Sequence, residues 1–227
     1  MNAAKFGEIA PREVVPFSKS STSDSKPCKN NDYIPLQDGV LEQSLVSAKK
    51  HLHSDFHDVR VLALEDVAST TSHVHTYDDT ALNACKIIME QKSNIGDSMA
   101  SIIFDKEFIH SDDKYIRSLA LTILSTVLST LSEENILTPF IQDKWYTKSV
   151  MPSLINEIKT AEKNPCNASL AVKCLSVLFS NSAEARSQTD EDALIVLEAA
   201  KRIGHSSYAN LEMEAQDAIE KMAQAEV

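Results

Sequence analysis

The chain has 227 residues, with 22 Lys and Arg against 33 Asp and Glu and a formal charge of −11. One core at this length can bury roughly 70% of the unfolded surface, so neither a metal nor a disulfide framework is needed to fold it. Four Gly and seven Pro leave few sites for hairpin turns or phosphate-cradling loops, and the acidic balance argues against nucleic acid as a partner.

Residues 1–32 carry Pro11, Pro16 and Pro27 and a polar run from Ser18 to Lys26, with almost no apolar periodicity. That composition predicts a disordered arm ahead of a folded domain over 33–227. Charges at Lys5, Glu8, Arg12 and Glu13 interrupt the apolar run that a secretory signal would need. The arm holds five basic and four acidic residues, so the folded part holds 17 against 29 and carries the acidity.

From Leu41 onward, apolar residues recur at helical spacing between polar caps. The pattern predicts helices near 39–52, 56–70, 78–92, 96–105, 112–131, 133–142, 146–162, 167–181, 190–203 and 207–225, hence an all-α fold. In 112–131, Ile116, Leu119, Ala120, Ile123, Leu124, Val127 and Leu128 form one stripe opposite Ser118, Thr122, Ser125 and Ser129. Ser111-Asp112 and Thr189 with Asp192 are expected to cap helix starts. The carboxylate groups Asp78-Asp79, Asp112-Asp113, Glu133-Glu134 and Asp190-Glu191-Asp192 also fall at expected starts, where they complement the helix dipole more simply than they serve as acid–base pairs. No window holds 18 uninterrupted apolar residues, so no membrane span is expected.

The chain repeats itself. His53-Ser54-Asp55, Val59-Arg60 and Leu62-Ala63-Leu64 return as His110-Ser111-Asp112, Ile116-Arg117 and Leu119-Ala120-Leu121 at a constant offset of 57 residues. A third, looser copy runs from Asn167 to Leu175, with its charge matching at 56 and its stripe better at 55. Units that cannot bury an apolar face alone do so by stacking, which predicts a right-handed superhelical solenoid of about three repeats. The competing architecture is a helical bundle with one duplication. It is the weaker because polar residues are duplicated along with apolar ones.

Histidine is the one feature that suggests chemistry, since His51, His53, His57, His73 and His75 fall within 25 residues. A metal site would need further ligands and an anchored outer shell, so cap and turn roles are favoured and no metal or cofactor is expected. There is no phosphate loop, nucleophile elbow or helical His-Glu-x-x-His, which points to a non-enzymatic protein. Trp145-Tyr146 opens an expected helix, where it either anchors a partner or fills a repeat junction. Cys28, Cys85, Cys166 and Cys174 are scattered, as suits small hydrophobes in a reducing compartment. Cytoplasm is the expected location. The alternative is the endoplasmic reticulum lumen for a mature fragment, where Asn167-Ala168-Ser169 would be a glycosylation acceptor.

The polar Asp-containing turn, the β-branched residue before Arg, and Leu-Ala-Leu resemble the last helix of armadillo and HEAT repeats, over about residues 40–225. Peptide-clamping armadillo proteins carry an Asn ladder on these helices. The aligned positions here are Ser69 and Thr126, with Ser180-Asn181 only at a helix end, so peptide capture of that kind is disfavoured. Two further blocks are similar to the armadillo-type nucleotide exchange factors of DnaK-class heat-shock chaperones. One is Ala63-Leu64-Glu65-Asp66-Val67 with the helix 79–92. The other is Ser149-Val150-Met151-Pro152-Ser153-Leu154-Ile155 with Leu170–Leu178 and Asn181-Ser182-Ala183. A Gln-Asn-Asn element of that family is replaced by Thr130-Leu131-Ser132-Glu133.

This resemblance implies a protein partner, the chaperone's ATPase domain, whose nucleotide cleft the solenoid opens so that ADP leaves. It places partner contacts near the starts of the inner helices, at His57, Arg60, Asp113, Lys114, Arg117 and Lys173. It also gives the arm a possible role as pseudo-substrate. The alternative is an armadillo/HEAT adaptor or structural subunit of a larger assembly.

Overall fold

The chain is described by a computed structural model covering residues 38–72, 79–90, 99–104, 108–109, 111–141, 149–187 and 191–224. The expected arm 1–32, Cys28, His73, His75, Trp145, Tyr146 and Thr189 lie outside the described residues. The helices are α1 Asp38–Leu52, α2 His57–Ser72, α3 Thr80–Met89, α4 Met99–Phe104, α5 Lys114–Glu133, α6 Thr138–Ile141, α7 Met151–Ile158, α8 Pro165–Asn181, α9 Ala183–Ser187, α10 Glu191–Ser207 and α11 Ala209–Ala223. Among the described residues there is no strand, and the fold is all-helical. These helices belong to one compact unit, Pro35–Val227.

Local chemistry sets the boundaries. The start of α5 is capped by Asp113 and not by Ser111-Asp112: its carboxylate accepts from the amides of Tyr115 (2.7 Å) and Ile116 (3.4 Å). Ser111 instead accepts from the amide of Asp113 (3.2 Å), steadying the cap itself. At the other end, Glu133-Glu134 closes a helix where the sequence suggested an opening. Asn135 takes a left-handed φ of 56°, its amide donates to the Ser132 carbonyl (3.0 Å), and the Ile136 amide donates to the Leu131 carbonyl (2.9 Å). This paired arrangement satisfies the last free carbonyls of α5. The helix expected over 133–142 is thereby reduced to the single turn α6.

α8 starts two residues before its expected position. Pro165 occupies the first turn, where a missing N–H costs nothing and the fixed φ suits the helix. As a result Lys173 lies more than two turns into α8 and not near its start.

The long helices form a row in which α2 packs on α5, α5 on α8, and α8 on α11. A second set flanks this row: α1 and α3 pack on α2, α3 and α4 on α5, α7 on α8, and α10 on both α7 and α11. Width of burial follows position in the row. On α2 the buried residues are Ala63, Leu64, Val67 and Thr71, one stripe. On α5 they include Leu121, Ser125, Thr130 and Leu131 as well as the predicted stripe from Ile116 to Leu128, of which Leu119 is only half-buried, because α8 covers the side that the sequence marked as polar. By length and composition α5 could cross a bilayer. Its apolar residues are instead buried against α2, α3, α4 and α8.

Four pairs related by the offset of 57 are buried in both copies, Ala63 and Ala120, Leu64 and Leu121, Val67 and Leu124, and Thr71 and Leu128, whereas Asp66 is exposed where Ile123 is buried. α10 and α11 meet most closely at Gly204, where an added Cβ would lie 2.3 Å from the backbone nitrogen of Glu212. Backbone cannot yield as a side-chain tip can. Gly204→Ala is therefore expected to cost about 1–3 kcal/mol or more, measured by urea denaturation. Asn135→Ala, which forces a β-carbon into the left-handed region without the Asn side chain's local bonding, is expected to cost about 1 kcal/mol in the same assay.

Candidate functional site

Polar ties cross each junction of the row α2, α5, α8 and α11, exposed between α2 and α5 and part-buried at the other two. Between α2 and α5, His57 Nε2 bonds to Asp113 Oδ2 (2.7 Å) while its Nδ1 faces Asp58 (3.2 Å). Tyr115, two residues past the Asp113 cap, donates its Oη to Glu65 Oε1 (2.6 Å), more than two turns into α2. Between α5 and α8, Asn181 Nδ2 donates to Ser132 Oγ (2.9 Å) and to the carbonyl of Val177 (2.8 Å). Between α8 and α11, Ser176 Oγ donates to Asp217, and Lys221 Nζ donates to Ser176 Oγ (2.9 Å) and Asp217 Oδ2 (2.7 Å). His57 meets the cap of α5 at the starts of two helices, and Ser132 meets Asn181 at the ends of two. The neighbours therefore run in the same direction.

These ties shift the groups that make them. The bond to Asp113, then that to Asp58, raises the His57 pKa above its ordinary 6.5. Asp113 is held below the usual carboxylate range by His57 and by the Tyr115 amide. Tyr115 is pushed up because its O–H donates a hydrogen bond to Glu65, which favours the neutral phenol. For Asp217, burial pushes upward, but the bonds from Lys221 and Ser176 outweigh it and the net direction is down. Glu214, beside the same cluster, is raised by burial despite Lys173 and Lys221.

The six residues expected to contact a partner separate into two sets. His57, Asp113 and Lys114 come together at the starts of α2 and α5, with His57 and Lys114 exposed and Asp113 half-buried. Lys173 is exposed on α8, apart from them. Arg117 faces inward: its Nη1 donates to the Ser111 carbonyl, and its Nε lies 3.5 Å from Glu157, a carboxylate 6% exposed on α7. Arg60, its counterpart 57 residues earlier, has a buried Nε with no hydrogen-bond partner. A buried pair such as Arg117 and Glu157 is weak evidence for stability, yet removing either member would strand the other's charge. Sequence reasoning missed Tyr115, Glu65, Ser176, Asp217 and Lys221. The spacing of Asp217 and Lys221, four apart on one helix, was a signal that could have found the last two.

No group of three or more His, Cys, Asp or Glu side chains gathers as a metal site among the described residues. Cys85 and Cys174 are buried, and burial raises their thiols to about 11 and about 12. Such thiols are inert hydrophobes at neutral pH. Cys166 is exposed, against the expectation for a buried hydrophobe, and shares a hydrogen bond with Tyr208 that raises the phenol's pKa. Asn167 is 2% exposed inside α8, so the acceptor tripeptide offers no surface for a glycan in this fold. The Asn181 amide donates to Ser132 and to the Val177 carbonyl.

No protein-family model and no curated protein sequence matches the chain. The functional reading rests on its own residues and packing.

The His57 shift fixes the sign of a pH effect. Its stabilisation is complete below the unfolded value near 6.5 and is lost as pH rises through the raised folded value. That of Asp113 is present above its ordinary 3.8 and is lost as pH falls through the lowered folded value. The tie is therefore strongest between those two pH values. Proton NMR of His57 should give a midpoint above 6.5, and Asp113→Asn, which keeps the helix cap, should return it towards 6.5. An unchanged midpoint would show that the pair does not form in solution.

Proposed function

We propose that the chain is a non-enzymatic protein-binding module built as an armadillo/HEAT-like solenoid of about three repeats. The observation that carries this reading is the row α2, α5, α8 and α11, each packed on the next and tied to it by side-chain hydrogen bonds. Matching burial at positions 57 residues apart supports the same reading, because a repeat should reproduce its packing as well as its letters. Polar ties limit how the helices slide, so the face keeps one curvature and meets a partner without first paying to order itself.

The specific activity we propose is that of a co-chaperone that promotes ADP release from the ATPase domain of a heat-shock chaperone in the cytoplasm. Exchange of this kind needs no reactive side chain. It needs tighter binding to the opened form of the partner than to the closed form, and a ligand shifts an equilibrium only by that difference. His57, Asp113 and Lys114 at one end of the face, and Lys173 with Glu214 further along it, supply charges of both signs for such binding. The second reading is an armadillo/HEAT adaptor that docks without altering a nucleotide state.

The experiment is release of a fluorescent ADP from a purified chaperone ATPase domain. Acceleration at micromolar protein is the expected result. Binding without acceleration would leave the adaptor reading, and absence of both binding and acceleration would remove the exchange reading.

A further inference from the structure

Both nitrogens of the His57 ring face a carboxylate. Nε2 lies 2.7 Å from Asp113 Oδ2 on α5, and Nδ1 lies 3.2 Å from Asp58 Oδ1 on its own helix. An ionised carboxylate only accepts hydrogen bonds, and a neutral imidazole has one donor and one acceptor nitrogen. A neutral ring therefore turns a lone pair towards one of the two carboxylates, and both contacts are hydrogen bonds only when both nitrogens carry protons. His205 differs: it meets Glu212 through Nδ1 alone (2.8 Å), so a neutral ring can serve it.

The far end of the longer-range bond is fixed. Asp113 Oδ1 accepts from the Tyr115 and Ile116 amides at the start of α5 (2.7 and 3.4 Å), and the Asp113 amide donates to Ser111 Oγ (3.2 Å). One carboxylate thus caps α5 with one oxygen and holds α2 with the other. Asp58, its side chain 98% exposed, has water as an alternative partner. Of the elements packed on α2, which are α1, α3 and α5, only α5 brings a charged group to the ring among the described residues, and that group is Asp113. On α2 itself the group is Asp58. The exposed neighbours His51, His53, Asp55, Asp112 and Lys114 form no ion pair with the ring among the described residues. A second fastening between the same helices, Tyr115 Oη to Glu65, does not change near neutral pH, because the bond favours the neutral phenol. The raised His57 and lowered Asp113 pKa values agree with a charged ring held between two carboxylates.

We propose that His57 is a proton-operated clasp between α2 and α5. With both nitrogens protonated it holds Asp58 and Asp113 together. Loss of one proton frees Asp58 and leaves a weaker, uncharged donor on Asp113, which loosens the first turn of α5. The clasp is closed between the ordinary values of 3.8 and 6.5 and opens as pH rises through the raised folded value of His57. Interior packing from Ile116 onward is untouched, so the change is one of local order at this corner and not of global folding. The device belongs to the chain alone and depends on no partner.

The measurement is amide hydrogen exchange of the full chain by NMR, from mildly acidic to mildly alkaline pH, expressed as protection factors so that base catalysis of the intrinsic rate is removed. Protection at Tyr115 and Ile116 should fall about two- to fivefold as pH passes the His57 midpoint, the range expected for an exposed ion pair. Protection at Leu124, in the middle of α5, should hold steady. His57→Gln, which keeps an amide donor for Asp113 but cannot change charge, should abolish the fall. Asp58→Asn, which lets a neutral ring serve both neighbours, should shrink it, and His205→Gln should leave it unchanged. Three results would overturn the proposal: protection at Tyr115 and Ile116 that does not follow the His57 midpoint, the same fall in His57→Gln, or an undiminished fall in Asp58→Asn. None of these measurements involves a nucleotide or a chaperone, so they stand or fall apart from the ADP-release assay.

Discussion

The two central long helices, α5 and α8, are apolar on more sides than one neighbour can cover, and everything else in the molecule follows from the need to enclose them. α5 buries residues from Ile116 to Leu131 on two sides, and α8 buries Ala168, Ala171, Val172, Cys174, Leu175, Leu178 and Phe179. A fully buried Leu or Phe contributes about 1.5–3 kcal/mol relative to exposure, so a two-sided helix cannot remain at a surface. It has to lie between partners, which is what α2 and α11 provide in the row and α3, α4 and α7 provide behind it. α2 and α11 themselves bury only narrow stripes, ending on α11 with Leu211, Ala215 and Ala218. Beyond that stripe α11 carries polar pairs, Glu212 bonded to His205 and Gln216 to Glu220, beside an exposed Met213.

Packing of this kind is strong but unspecific about register, because an apolar stripe tolerates sliding by a turn. The polar ties restrict that freedom. Exposed pairs such as His57 with Asp113 contribute little net stability, and Ser176 with Asp217 and Lys221 is only partly shielded. Their effect is geometric: each fixes a residue of one helix to a residue of the next at hydrogen-bond distance. Inside the body the same discipline extends to Ser125 beside Cys174 and Thr130 beside Cys85, small hydroxyls that find partners without opening a cavity.

On the proposed reading, the functional consequence is a surface for binding. Titratable groups on the row are shifted by their roles as ties, and perturbed groups in such structural networks do not by themselves mark catalysis. What the surface offers is variation along its length: acid and apolar groups at α2, and mixed charge where Lys173, Glu214, Asp217 and Lys221 gather between α8 and α11. A binding protein with several chemically distinct stretches can grip one partner over a wide area, or separate partners at separate stretches.

The sequence by itself determined the helical class and most helix cores, because apolar spacing of 3.6 residues is a local signal carried by residues such as Ile116, Ala120, Ile123 and Val127. It determined the duplication at an offset of 57 for the same reason, since both copies are written in the chain. It misjudged ends. Asp113 and not Ser111-Asp112 caps α5, Glu133-Glu134 closes that helix, and Pro165 opens α8 early, because terminal geometry depends on backbone turns several residues wide. Only the tertiary structure decided that Leu121 and Ser125 are interior, that Arg117 turns towards Glu157, and that Tyr115 reaches Glu65. Each of those depends on which helix becomes a neighbour, and neighbours brought together across 40 or 50 residues leave no periodic trace in either strip of sequence.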